Sequence, residues 1–150
     1  MIQAQRDFGT VVSAELYANV QQFYAWQMGL LDDGAVDEWA DTFTEDAMFG
    51  EPGQAGSFLG REAIRTSVVA RAEKLAAEGL VMRHWFNMLA IDPQSDGGLR
   101  TRNYALTLST PLGGSLTVRG HAVCFDHLVP HDDRWLVANR VILPDGRAKA

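Results

Sequence analysis

The segment VMRHWFNMLAI, Val81 to Ile91, marks the change of architecture in this chain. It is apolar or aromatic at most positions and holds no Gly or Pro, which suits a buried or half-buried strand. Strict alternation would send Arg83, Trp85, Asn87 and Leu89 to one face and His84, Phe86, Met88 and Ala90 to the other. His84 then sits among apolar neighbours, where modest influences move an imidazole across neutrality. Two readings stay open from position alone: the working group of a ligand pocket, or a core histidine satisfied by one hydrogen bond.

Downstream, everything reads as strand. Val81–Asp92, Leu99–Thr110, Ser115–His127 and Trp135–Leu143 are extended segments joined by PQSDGG, PLGG and PHDD, connections rich in turn formers. Consecutive strands are therefore expected to pair as an antiparallel meander. The second segment puts Tyr104, Leu106 and Leu108 on one face and Thr101, Asn103, Thr107 and Ser109 on the other. The latter is a polar, uncharged surface that could pair with a second copy, so a homodimer on the sheet's outer face is expected.

Upstream, everything reads as helix. Val12, Leu16, Val20, Phe23 and Leu30 give an amphipathic helix over Thr10–Leu31, capped by Thr10 or Ser13. Asp33 is the expected N-cap of a short second helix whose apolar face is Val36, Trp39, Ala40 and Phe43. AMFGEP reads as a brief strand. A third helix starts near Gly60-Arg61, buries Ile64, Val68, Ala72 and Leu75, and stops at Gly79. Helices first and strands after them indicate α+β, with the helices on one face of the sheet.

The chain has 150 residues, the size of one domain, with ordinary apolar and charged fractions of 47% and 21%. A net charge of −6 and the lack of any basic cluster argue against nucleic acid or an anionic membrane as partner. The single cysteine, Cys124, excludes an internal disulfide and a cysteine-rich zinc site, and its setting in VCF reads as a small buried hydrophobe. MIQAQRDFG has no apolar run of leader length, so a reduced, cytoplasmic setting is expected.

Few motifs carry chemistry. Asp96-Gly97-Gly98 and Gly113-Gly114 lie between strands and open no helix, so neither cradles phosphate. His127 and His131 are four apart, but Pro130 lies between them, which favours a turn over a metal site. His121 shares a face with Arg119 and Val123, and the sequence leaves open whether His84 is on that face too. Among the acids, a cap or loop accounts for Asp33 and Asp46. Asp32, at the end of the first helix, could orient His84. Arg140 is a lone cation on an apolar strand and needs an anionic partner or ligand. No Ser-His-Asp order or nucleophile elbow can be assembled.

The series FYAWQMGLLDDGAVDEWADTFTEDAMF, GREAIR, RHWFN, RNYAL and RWLVANRV resembles the SnoaL-like branch of the nuclear transport factor 2-like superfamily, from about Val11 to Asp145. The resemblance implies one domain folded as a cone, a curved antiparallel sheet wrapped over three helices around an apolar cavity. It implies polyketide cyclisation or dehydration without a cofactor. On the dehydratase pattern His84 matches the catalytic histidine and Asp32 falls near the aspartate, whereas Leu30 and Leu31 stand where a tyrosine is expected. The expected enzyme is a cofactor-free and metal-free cyclase, isomerase or dehydratase acting on a small hydrophobic polyketide intermediate. His84 and Asp32 carry the chemistry. Tyr24, Asn103, Tyr104, His121 and Arg140 hold the substrate's oxygens, and Trp39 and Phe86 its apolar body. The alternative is a non-catalytic subunit resembling the β-subunits of ring-hydroxylating dioxygenases, with the pocket plugged by Trp85, Phe86 or Met88.

Overall fold

The computed structural model describes residues 8–51 and 53–146. Helix α1 (Ala14–Asp32) is capped by Ser13, whose side chain accepts from the Leu16 N–H at 3.1 Å. Its buried side, Val20, Phe23, Tyr24, Gln27 and Met28, follows three- and four-residue spacing. Asp33 is the C-cap of this helix and not, as expected, the N-cap of the next. Helix α2 (Val36–Ala40) starts from Ala35 with no side-chain cap. Phe43, read as the end of that helix, opens strand β1 (Phe43–Gly50), where its ring is fully buried against Trp39 and Phe49. The short β2 (Phe58–Leu59) follows, then α3 (Arg61–Ala77). Of the stripe expected on α3, Ile64 is fully buried and Val68, Ala72 and Leu75 are half-buried. Gly79 stops this helix as expected. It adopts φ 69°, a left-handed turn that disfavours side chains, and donates to the Ala76 carbonyl.

Strands β3 (Leu80–Pro93), β4 (Leu99–Pro111), β5 (Thr117–His131) and β6 (Arg134–Pro144) form the expected meander. The sheet order is β2-β1-β6-β5-β4-β3, open, with β3 at one edge. It is mixed rather than purely antiparallel, because β1 pairs parallel with β6. A parallel pair needs a long crossover, and α3 with the first three meander strands supplies it.

The helices lie on one face of the sheet and the core fills the space between. Val20, Phe23, Tyr24, Trp39, Phe43 and Ile64 meet Ile91, Leu99, Leu128 and Val137. Two expectations about faces fail. Beyond Asn87 the β3–β4 register slips, and Met88 takes the left-handed φ of 58°. This bulge turns Met88 outward and brings Leu89 and Ile91 inward, so Met88 and Ala90 do not continue the His84 side. Thr101, Asn103 and Ser109 are buried under the helices, and Thr107 lines an internal cavity. The polar row assigned to the outer face is therefore the inner one. No helix among the described residues is long and apolar enough to cross a membrane.

Candidate active site

His84 is held by one carboxylate at two points. Asp32, the last residue of α1, places Oδ1 2.6 Å from the His84 Nδ1, and its Oδ2 accepts the His84 main-chain N–H at 2.9 Å. Because β3 is the sheet edge, this outward N–H has no strand partner. The carboxylate therefore satisfies the backbone and fixes the ring with one side chain. The Nδ1 contact leaves Nε2 as the ring nitrogen that Asp32 does not engage. His84 retains 25% side-chain exposure and Asp32 only 9%, so the pair is sheltered yet reachable.

A cavity of about 280 Å³ adjoins the ring. Met28, Leu31 and Trp39 from the helices form one wall, Phe49 of β1 adds to it, and the inner face of the meander is its floor. The floor is small by composition: Ala105 and Thr107 on β4, Gly120 and Ala122 on β5. Register aligns His84, Thr107 and Gly120 across three strands. A Cβ on Gly120 would meet nothing within 4 Å, so the open space begins there, beside the imidazole.

The cavity also meets Arg140, 1% exposed. Arg140 Nε and Nη2 each reach one oxygen of Asp126 at 2.9 Å, and Nη2 also donates to Gln27 Oε1 at 2.7 Å. Gln27 donates to Thr42, and Thr42 to the Trp39 carbonyl. The Tyr24 hydroxyl donates to Asp126 Oδ2 at 2.7 Å and lies 2.5 Å from Thr101 Oγ1. The guanidinium stacks over Phe86, Phe43 and Tyr24 at 5.0, 5.4 and 6.0 Å. Burial works hardest against its charge, but the Asp126 carboxylate more than offsets this and leaves the pKa above its ordinary value. Burial first, and then the Asp126 charge, push the Tyr24 phenol well above its usual value, so it stays a neutral donor. Arg140 Nη1 makes no hydrogen bond among the described residues. The network thus offers the cavity a donor while carrying no net charge, with one cation matched to one anion.

The other expected site residues divide. Trp39 and Phe86 border the cavity. Tyr24 lies in the network and faces a groove on the far side of His84. Asn103 is buried on the inner face but does not reach the cavity wall. Tyr104 is excluded: alternation puts it on the outer face, 40% exposed, opposite Asn87 and beneath the Arg102 guanidinium. His121 also borders the cavity. Its strand partner is Leu106, on the face opposite to the His84 row, and its Nδ1 lies 3.1 Å from Asp145 Oδ2. His127 and His131 gather no third ligand, and no group of three metal-binding side chains occurs among the described residues. Cys124 is buried on the cavity wall, its thiol pushed up to about 12, chiefly by burial.

Asp126, Gln27, Thr42 and Thr101 were not foreseen as site residues. Asp126 alternates with Cys124 and Leu128 and lies opposite Arg140, so the signal existed, but only a known register makes it readable.

The family model for the SnoaL-like domain matches residues 12–141. The chain belongs to the SnoaL-like domain family. No curated protein matches it in sequence. Among solved structures it is similar to Aln2 from a Streptomyces species, with 32% identity and TM-score 0.82 over 91% of this chain and 95% of that one. ActVI-ORFA from Streptomyces coelicolor is 28% identical, with TM-score 0.81 over 91% and 100% of the two chains. A protein from Catenulispora acidiphila, in complex with S-DNPA, is 40% identical, with TM-score 0.76 over 90% and 97%. Similarity to these structures extends across nearly the whole SnoaL-like domain.

Proposed function

We propose that this SnoaL-like domain is a cofactor-free polyketide cyclase, isomerase or dehydratase whose step is proton transfer beside a carbonyl. The observation that carries the reading is the double hold of Asp32 on His84, ring at 2.6 Å and main chain at 2.9 Å. A base fixed this way needs no reorganisation before it acts. His84 Nε2 takes a proton from the carbon next to the ketone, and Asp32 stabilises the resulting imidazolium. The enolate oxygen accepts a hydrogen bond from Arg140 Nη1, the role of an oxyanion hole. The proton then returns to another carbon in isomerisation, to the oxygen of the attacked carbonyl in cyclisation, or to a departing hydroxide in dehydration.

The charge balance of the site supports a narrower reading of the substrate. Because Arg140 is already neutralised by Asp126, the pocket suits an uncharged aromatic ketone that becomes anionic only during reaction. The Catenulispora acidiphila relative, solved with S-DNPA, supports a bound compound in this scaffold. Trp85 and Met88 point outward and Phe86 only borders the cavity, so the residues whose intrusion would favour a non-catalytic subunit leave it open. The working form is a homodimer joined through the outer sheet face.

The test is deuterium wash-in from D2O into 2-tetralone, an uncharged bicyclic ketone, followed by proton NMR. The parent protein should accelerate exchange above the buffer rate, and dialysis against EDTA should not change this. Exchange at the buffer rate alone would leave a binding protein; loss on dialysis restored by one metal would overturn the cofactor-free mechanism.

A further inference from the structure

The far side of the His84 wall is also a cavity. A groove of about 350 Å³ runs between α1 and the edge strand β3, lined by Gln21, Ala25, Gly29 and Asp32 from the helix and by Trp85 and Asn87 from the strand, the Asp32 carboxylate being already taken by His84. Met28, His84 and Phe86 border both this groove and the inner cavity. These three side chains stand between the two spaces, and Met28 is an unbranched, adaptable one. The inner cavity alone, about 280 Å³, falls just below the range of roughly 300–1,000 Å³ usual for small-molecule sites. Joined to the groove it falls well within that range.

Gly29 supplies an independent observation. A glycine inside a helix is destabilising relative to alanine, because it adds backbone freedom to the unfolded chain. Gly29 has no positive φ to require it, and a Cβ there would meet nothing within 4 Å. Neither turn geometry nor close packing therefore accounts for it. A longer side chain would do one thing in the folded protein, which is to fill the groove.

We infer that the groove is the second half of the substrate site. The substrate is longer than the inner cavity and lies across His84. Its reacting ring occupies the cavity, and an uncharged, hydrogen-bonding arm occupies the groove, where the Gln21 amide offers a donor and an acceptor and Asn87 Nδ2 a donor, Asn87 Oδ1 already accepting from the Met88 N–H at 2.8 Å. The inference rests on the functional reading above and extends it to the length and polarity of the substrate.

The experiment compares 2-tetralone with 6-(3-hydroxypropyl)-2-tetralone, which has the same reacting ring and carries an uncharged arm. Dissociation constants come from NMR titration of 15N-labelled protein, and the Gly29 amide reports on the groove. In the parent the arm should tighten binding about tenfold and shift the Gly29 signal, which 2-tetralone leaves in place. Gly29→Leu should abolish the gain from the arm while holding 2-tetralone affinity within about twofold. Gly29→Ala, which fills little space, should keep the gain and raise Tm. If 2-tetralone binds and the arm adds nothing, or if the gain survives Gly29→Leu, the groove is not part of the site. If 2-tetralone itself fails to bind the parent, the functional reading falls and this inference falls with it.

Discussion

Asp32 commits both carboxylate oxygens to a single residue, and it does so at the negative end of a helix, where a carboxylate is the unfavourable sign. Helix stability alone does not call for that placement; orientation of His84 does. Asp32→Asn should therefore lower turnover by less than removal of His84, because an amide can still accept one hydrogen bond while no longer stabilising imidazolium. His84→Gln should keep ligand affinity and lose turnover, with titration and rate measured on the same preparation. Tyr104→Phe should leave both unchanged, since its ring lies on the other face; a tenfold loss of turnover would place it back in the site. Cys124 adds a pH effect whose sign is fixed. Below pH 9 the thiol keeps its proton in both folded and unfolded chains. Between its ordinary 9.0 and about 12 only the unfolded chain releases it, so this group lowers stability as pH rises through that window, by at most about 1.4 kcal/mol per pH unit. Cys124→Ala should flatten the fall in urea midpoint over pH 9–11; an unchanged slope would contradict the assignment.

The buried Arg140–Asp126 pair ties β6 to β5, and through Gln27 and Tyr24 ties both strands to α1. Removing one partner strands a buried charge, which costs about 3–5 kcal/mol, whereas removing both together costs less. Arg140→Met should thus unfold at lower urea than Arg140→Met combined with Asp126→Leu. A double variant weaker than the single by the full Asp126→Leu effect would show that the two groups act independently. At this scale the limits of the sequence are clear. The helix stripe of α1, the stop at Gly79 and the hairpin order of the meander follow from local periodicity and turn chemistry, and they were legible. The parallel β1–β6 pair, the bulge at Met88 and the burial of Thr101, Asn103 and Ser109 depend on contacts distant along the chain. His84 was visible as a polar intruder in an apolar strand, and Asp32 as an acid at a helix end. Their meeting needed the fold, and so did the pairing of Asp126 with Arg140.

The whole molecule turns one sheet face to the helices and leaves the other open. On that outer face register sets Trp85 beside Leu106 and Tyr104 beside Val123. Trp85 remains 59% exposed and Val118 60%. These exposed apolar side chains can bury themselves against a second copy about a two-fold axis. Sedimentation at micromolar concentration should give a dimer for the parent and a monomer for Tyr104→Glu; a monomeric parent would remove the claim. On the inner face the same sheet brings a fixed imidazole, a small-residue floor and a charge-balanced guanidinium to one cavity. The most direct test of that account is the rate of deuterium wash-in into 2-tetralone by His84→Ala against the parent, after circular dichroism has shown that both are folded. The predicted result is a fall of about 10²–10⁴-fold, toward the buffer rate. Exchange by folded His84→Ala at the parent rate would make His84 a core residue and contradict the account.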